Sequence, residues 1–239
     1  MKKIPDLLEM LKSGMHFGHL TSKWHPKMKP YIFTERNNIH IINLEETRTK
    51  LAEALDFVRE QAKMGKVILF LGSKKQAQAS IEKYAKECGM PYVIHRWIGG
   101  TITNFQVVIK VIKKLNDMRR KKAAGDFEKY TKKEQLLLER EIERLENLVG
   151  GMSEVTKVPD VLFIVDVKDE KTAVVEGRKK GVKIVAICDT NVNPVNIDYV
   201  IPANDDALKS IEMVTSLISQ AVKEGKEQAA TAAEEKKVI

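Results

Sequence analysis

Two hydrophobic periodicities alternate along this chain and predict an α/β fold. Apolar runs of strand length recur at KVILFLG (66–72), MPYVIHRW (90–97), VPDVLFIVD (158–166), VKIVAICD (182–189) and YVIPAND (199–205). Between and after them lie segments of helical spacing, SKKQAQASIEKYAKECG, EKTAVVEGRKKG and DDALKSIEMVTSLISQAVKEG. Strands that are apolar on both faces must be covered by helices on both faces. The pattern therefore predicts an open, mainly parallel five-stranded sheet flanked by helices, of Rossmann or flavodoxin-like type, with right-handed crossovers.

One stretch breaks the alternation. From Phe105 to Val149 the chain is highly charged, with helical apolar spacing first at Val108, Val111, Ile112 and Leu115, then at Leu137, Leu138, Ile142, Leu145 and Leu148. The glycine and polar residues of AAGDFEKYTKKE separate the two runs, which predicts an α-helical coiled-coil hairpin inserted over 105–149. The α/β domain is then discontinuous, over 1–104 and 150–225. Its N-terminal arm, about 14–40, lacks clean periodicity after Gly18 and reads as an extended segment. Residues 226–239, rich in Ala, Glu and Lys without a core-forming period, read as a flexible C-terminal tail.

Composition narrows the function. Hydrophobic residues at 43% and charged residues at 31% describe a soluble globular protein, and no apolar run approaches the ~18 residues of a membrane span. Acidic residues and Lys12 interrupt the apolar stretch after the first lysines, so no secretory signal is expected and residence is expected to be cytoplasmic. Cys88 and Cys188 are far apart and form no CxxC motif, which predicts reduced, buried thiols. A formal net charge of +8 points to an anionic partner such as RNA. With aromatics at 6% and no aromatic RNA-binding strand, phosphate contacts to folded RNA fit better than base stacking along a single strand.

Four segments carry candidate chemistry. RWIGGTITNF places Arg96 and Trp97 before Gly99 and Gly100, then Thr101, Thr103 and Asn104. Arg96 can fork onto a phosphate and Trp97 can stack, or Trp97 can be a core residue after a Gly-Gly turn. In the arm, Lys23, Lys27, Lys29 and Arg36 interleave with Trp24, Tyr31 and Phe33, a mixture suited to phosphates and riboses or to an arm packed on its own domain. The Gly72-Ser73-Lys74-Lys75 turn opens a helix whose free N–H groups and two lysines suit a phosphate, although neither GxGxxG nor GxxxxGK[ST] is present. Arg119, Arg120, Lys121 and Lys122 are adjacent cations that repel unless an anion or solvent accepts them.

Two constellations argue for other chemistry. His16 and His19 would share a helical face, but no Cys is near and further metal ligands would have to be distant in sequence, so no metal site and no cofactor are expected. Asp166, Asp169, Asp189, Asp205 and Asp206 fall at strand ends or helix starts, where an α/β enzyme places acids or magnesium ligands and where caps and turns also place aspartates.

The RWIGGTITNF segment follows FLGSKKQA and precedes a charged helix. In chain order it stands with GMHFGHLTSKWHPKMKPYIF, RNNIHIINLEET, VPDVLFIVD, VAICDTNVNP and DYVIPANDDALKSI, covering Met15 to about Ile211. This ordered set resembles the bacterial small-subunit ribosomal protein S2 family. The resemblance implies a non-enzymatic structural constituent of the small ribosomal subunit, active in translation and without a cofactor. It implies binding to 16S ribosomal RNA on the solvent side between head and body, near where messenger RNA leaves. It also implies contact with neighbouring small-subunit proteins, among them the large mRNA-binding one that it helps to dock. The RNA-contact positions expected are Lys23, Trp24, Lys27, Lys29, Arg36, Lys74, Lys75, Arg96, Trp97, Thr101, Thr103, Asn104, Arg119, Arg120 and Lys121. The chain departs from the family pattern at His95, Phe105 and Ala203, the last where glycine is usual. Two other classes remain open on the residues alone: a phosphate- or nucleotide-binding α/β enzyme using the Gly72 turn, and a helical-hairpin adaptor that binds a protein.

Overall fold

The computed structural model describes residues 4–238, with side chains through residue 231. Its N-terminal part begins with α1 (Leu7–Lys12), opened by a capping box between Asp6 and Glu9. The arm that follows is more ordered than its aperiodic sequence predicts. Strands β1 (Phe17–Leu20), β2 (Ile32–Arg36) and β3 (Ile39–Ile42) form an antiparallel sheet in the order β1-β3-β2. The β2–β3 turn holds Asn37 and Asn38 at positive φ, the conformation two-residue hairpins require and asparagine tolerates. Register shifts in both strand pairs blur the two-residue alternation that would otherwise reveal these strands.

Helix α2 (Leu44–Lys63) is an element unassigned from the pattern above. Asn43 caps it, and Leu51, Leu55 and Val58 put its apolar stripe against the sheet domain. There follow β4 (Ile68–Leu71), α3 (Lys75–Cys88), the two-residue β5 (Tyr92–Val93), α4 (Phe105–Ala123) and α5 (Lys132–Val149). The chain closes with β6 (Val161–Val165), α6 (Lys171–Lys180), β7 (Lys183–Cys188), β8 (Tyr199–Pro202) and α7 (Leu208–Val238). The five predicted strands pair in parallel in the order β5-β4-β6-β7-β8. Strand order reverses between β4 and β6, so their carboxyl ends border the crevice where open α/β sheets gather functional groups.

The continuous apolar runs are explained by two cores, one on each face. Ile68, Phe70, Phe163 and Val165 face α2, α3 and α7, with the Phe70 and Phe163 rings edge to face at 5.3 Å. Leu69, Leu71, Leu162 and Ile164 face the other way, toward α6 and the apolar sides of α4 and α5. Helices α4 and α5 pack on each other through Val108, Ile112, Leu115, Ile142 and Leu145, all buried. Leu137, placed in that seam by spacing, instead lies 55% exposed. Helix α7 continues from the core through residues 226–231, and its backbone is helical to Val238. Residue 239 and the side chains of 232–238 fall outside the described residues. Both cysteines are buried free thiols, as expected.

Candidate nucleic-acid interface

The segment from Arg96 to Phe105 is organised by a residue that its own sequence does not contain. Glu176, on α6, is buried and receives donors from all along the loop. Its Oε1 accepts from Gly100 N–H (2.7 Å) and the Trp97 indole N–H (3.3 Å). Its Oε2 accepts from the N–H groups of Ile102 (3.0 Å) and Thr103 (3.1 Å) and from the Thr103 hydroxyl (3.2 Å). Gly100 sits at φ +93°, a conformation that L side chains rarely adopt, so the wrap around the carboxylate depends on that glycine. Burial pushes the Glu176 carboxyl up, but the converging N–H groups outweigh it and hold it below the ordinary carboxylate range.

This clamp divides the predicted contact residues of the loop. Trp97 is 7% exposed and joins the core beside Met28 and Ile102, so its indole is a packing group and the expected stacking face is turned inward. Thr101 is 1% exposed and donates its hydroxyl to Ile98 O. Arg96, Thr103 and Asn104 are exposed, and Arg96 makes no ion pair among the described residues. The loop thus presents the Arg96 cation and the Asn104 side chain from a backbone fixed beneath them, while the Thr103 hydroxyl is held by Glu176.

On the N-terminal arm the predicted cations are all available: Lys23, Lys27 and Lys29 on 3-10 turns between β1 and β2, and Arg36 at the end of β2. Lys23, Lys27, Lys29 and Arg36 are exposed, and none has an acidic partner within salt-bridge distance among the described residues. Trp24 is 36% exposed with its ring against buried His40, at 5.1 Å between centroids, while Phe33 is 72% exposed. The arm is tied to the α/β domain by His25 N–H to Thr190 O (2.8 Å) and His19 N–H to the Thr190 hydroxyl (2.9 Å).

The Gly72 turn is a different matter, because the protein fills it with its own groups. A Cβ at Gly72 would stand 3.0 Å from Ile81 and 3.1 Å from Ala77, so this glycine serves close packing of α3 on β4. Ser73 N–H, at the helix opening, donates to the buried carboxylate of Glu170 (3.1 Å). Lys74 Nζ lies 2.6 Å from Asp206, 2.9 Å from Asp205 and 3.3 Å from Asp166. Burial lowers its affinity for a proton, but these acids outweigh burial and raise it. A phosphate arriving here would meet three carboxylates, and Lys74 is engaged in an internal ion-pair cluster. Lys75 beside it is exposed and unpaired among the described residues.

The strand-end aspartates come together around that lysine. His19 bridges two of them, with Nδ1 3.1 Å from Asp189 and Nε2 3.4 Å from Asp206. Asp205 is 1% exposed, and burial beside Asp166 and Asp189 pushes its carboxyl up to about 7 against the pull of Lys74. Asp166 closes the end of β6 at positive φ, with its side chain accepting from Lys168 and Asp169 N–H groups. His16 and His19 do not share a helix: His19 lies in β1 and His16 just before it. Ala203 is buried and has no positive φ, so the absence of glycine there costs no tight turn.

The four adjacent cations of α4 also find their anions within the protein. Arg119 pairs with Glu146 (3.0 Å) and Lys122 with Glu139 (3.0 Å), both across to α5, while Arg120 (2.6 Å) and Lys121 (2.8 Å) share Asp117 on α4. The repulsion that would call for an external anion at Arg119, Arg120 and Lys121 is therefore answered internally. Glu176, Glu170 and the acids of α5 are the residues that sequence reasoning missed. Glu176 stands in an ordinary helical stretch, with no local sign that it would reach a loop more than seventy positions earlier.

Comparison with known proteins agrees over most of the chain. The family model described as "Ribosomal protein S2" matches residues 10–225. The chain is 49% identical over 229 residues to the small ribosomal subunit protein uS2 of Salinibacter ruber, covering 96% of this chain and 72% of that one. It is 51% identical over 216 residues to the protein of the same name from Chloroherpeton thalassium, covering 90% of this chain and 86% of that one. With the uS2 protein of a Nitratiruptor species it shares 50% identity over 219 residues, covering 92% and 82%.

Proposed function

The chain belongs to the ribosomal protein S2 family, and from that premise we propose that it holds folded 16S ribosomal RNA through the cations its own acids leave unpaired. Membership makes it a structural, non-enzymatic protein of the small ribosomal subunit, working in translation. The observation that carries the RNA reading is the lack of any acidic partner, among the described residues, for Lys23, Lys27 and Lys29 on the short 3-10 turns of the N-terminal arm and for Arg36 at the end of β2, with Arg96 unpaired on the clamped loop. Each such cation can neutralise a phosphate and release a condensed counterion, so affinity falls as salt rises. Contacts of this type position the protein on RNA and carry no base identity, while Trp24 and Phe33 offer flat apolar area for a ribose or an unstacked base.

The family resemblance supports the finer placement: between head and body on the solvent side, in the cytoplasm, beside neighbouring small-subunit proteins, with a part in docking the large mRNA-binding one. The domain reading belongs here too. The α/β domain with its arm makes the RNA contacts, and α4 with α5 is a helical unit set into it, stabilised by its own ion pairs. Sedimentation of a tagged full-length chain in lysate, with small-subunit RNA measured across the gradient, tests the reading. Magnesium-dependent comigration with the small subunit is expected, and Arg96→Ala is expected to lower incorporation in competition with wild type while leaving the circular dichroism spectrum unchanged. Migration wholly as free protein, with a tag shown to permit assembly, would contradict it.

A further inference from the structure

We propose that Glu176 is a positioning residue for RNA binding: it holds the backbone from which Arg96 reaches a phosphate and does not itself meet the RNA. The proposal rests on the assignment of Arg96 as an RNA contact. It starts from the presence of a buried carboxylate, since an ionised group taken out of water is costly unless paired or hydrogen-bonded. Glu176 is 6% exposed, and its five donors are neutral N–H and O–H groups rather than cations.

The geometry is specific to a carboxylate. Oε1 accepts from Trp97 and Gly100 while Oε2 accepts from Ile102 and Thr103, so both oxygens must act as acceptors. Glutamine, of nearly equal size, has one acceptor oxygen and one NH2 donor, and would set N–H against N–H on one side of the loop. An apolar side chain would leave every one of these donors unanswered. The carboxylate is also fixed in height above the sheet. A Cβ at its neighbour Gly177 would stand 3.2 Å from both Ile184 and Leu162, so α6 lies close on β6 and β7 and carries Glu176 with it.

The grip falls immediately beside the cation. Trp97, the residue after Arg96, is held by its buried ring and its indole N–H, and Gly100 closes the turn at φ +93°. Arg96 lies between the end of β5 and this anchored tryptophan, exposed and without an ion pair among the described residues. A side chain on a fixed backbone loses less freedom on meeting a phosphate than one on a mobile loop, so the anchor strengthens the contact without adding an atom to the interface. Charge alone predicts the opposite sign. Removing a negative charge from a protein that binds a polyanion favours the complex, so weaker binding after Glu176 is neutralised separates positioning from electrostatics.

Binding of the full-length chain to small-subunit ribosomal RNA across a salt series, in wild type, Arg96→Ala, Glu176→Gln and the double variant, tests the proposal. Arg96→Ala should lower the slope of log affinity against log salt by about 1. Glu176→Gln should lower it by about the same amount, and the double variant by about 1 rather than 2, because residues that act through one another are not additive. Gly100→Ala strains the same wrap while keeping the carboxylate; it should also lower the slope, and it keeps the test decisive if Glu176→Gln misfolds. Val58→Ala, in the core on the opposite face of the sheet, should lower the denaturation midpoint and leave the slope unchanged, which marks general destabilisation as a separate effect. A folded Glu176→Gln or Gly100→Ala chain with the wild-type slope, or a double variant that loses about 2, would overturn the proposal while Arg96 remains an RNA contact. An unchanged slope in Arg96→Ala would remove that contact and the proposal with it.

Discussion

Two basic stretches of this protein look alike as sequence and are opposites as structure. Lys23, Lys27, Lys29 and Arg36 stand unpaired on the N-terminal arm among the described residues, whereas Arg119, Arg120, Lys121 and Lys122 on α4 each touch a carboxylate on α4 or α5. Both stretches feed the same net charge of +8. Only the first leaves that charge free to meet phosphate without breaking an existing pair. Local acid supply, set by which helix packs beside which, decides how a cluster of cations behaves. The same contrast separates Lys74, enclosed by three aspartates, from its exposed neighbour Lys75.

The sharpest way to break the comparison is to neutralise each stretch in turn. Changing Lys23, Lys27, Lys29 and Arg36 together to Gln should lower the slope of log affinity against log salt by about 3, from ~0.7–0.9 per phosphate contact, and abolish competitive incorporation into the small subunit. The two tryptophans extend the contrast to packing. Trp97→Ala should destabilise the fold by about 3–5 kcal/mol in denaturant titration, as a large buried side chain does, while Trp24→Ala should weaken RNA binding and leave the denaturation midpoint close to wild type.

The clamp gives a pH test of intermediate size. The folded Glu176 carboxyl lies below its unfolded value of about 4.3, so its contribution is complete above that value and is lost as pH falls through the lower folded value. In a Trp24→Phe background, fluorescence of Trp97 should therefore hold steady from neutral pH down to about 4.3 and change below it. Glu176→Gln should remove this acid transition and cost about 1–3 kcal/mol. Arg96→Ala should reduce the salt slope by about 1 without unfolding. Smallest of all, changing Arg120 and Lys121 to Gln should leave the salt slope and the denaturation midpoint indistinguishable from wild type, because exposed ion pairs contribute little.

Much of the architecture was legible before the structure. The five strands and their helices announce themselves because a sheet covered on both faces needs apolar residues at every strand position, as in Leu69-Phe70-Leu71 and Leu162-Phe163-Ile164. The N-terminal sheet escaped because register shifts break its alternation and Phe17, Leu20 and Phe33 stay exposed. Helix α2 was missed despite a visible Asn43 cap and an apolar stripe at Leu51, Leu55 and Val58, a signal present in the sequence. At the interface, sequence marked the residue types but not their partners. Nothing local to Trp97 says that Glu176 will take its N–H, and nothing local to Lys74 says that Asp205 and Asp206 will enclose it. Those pairings arise from the crossovers that bring distant turns to one edge of the sheet.

The central claim is that unpaired cations on the N-terminal arm, rather than the paired ones of α4, hold the RNA. Binding of the full-length chain to small-subunit ribosomal RNA across a salt series tests it most directly, with the four-residue arm variant compared against a variant neutralised at Arg119, Arg120, Lys121 and Lys122. A slope reduced by about 3 in the first and unchanged in the second is the expected result. A larger loss in the α4 variant, with both chains shown to be folded, would contradict the account.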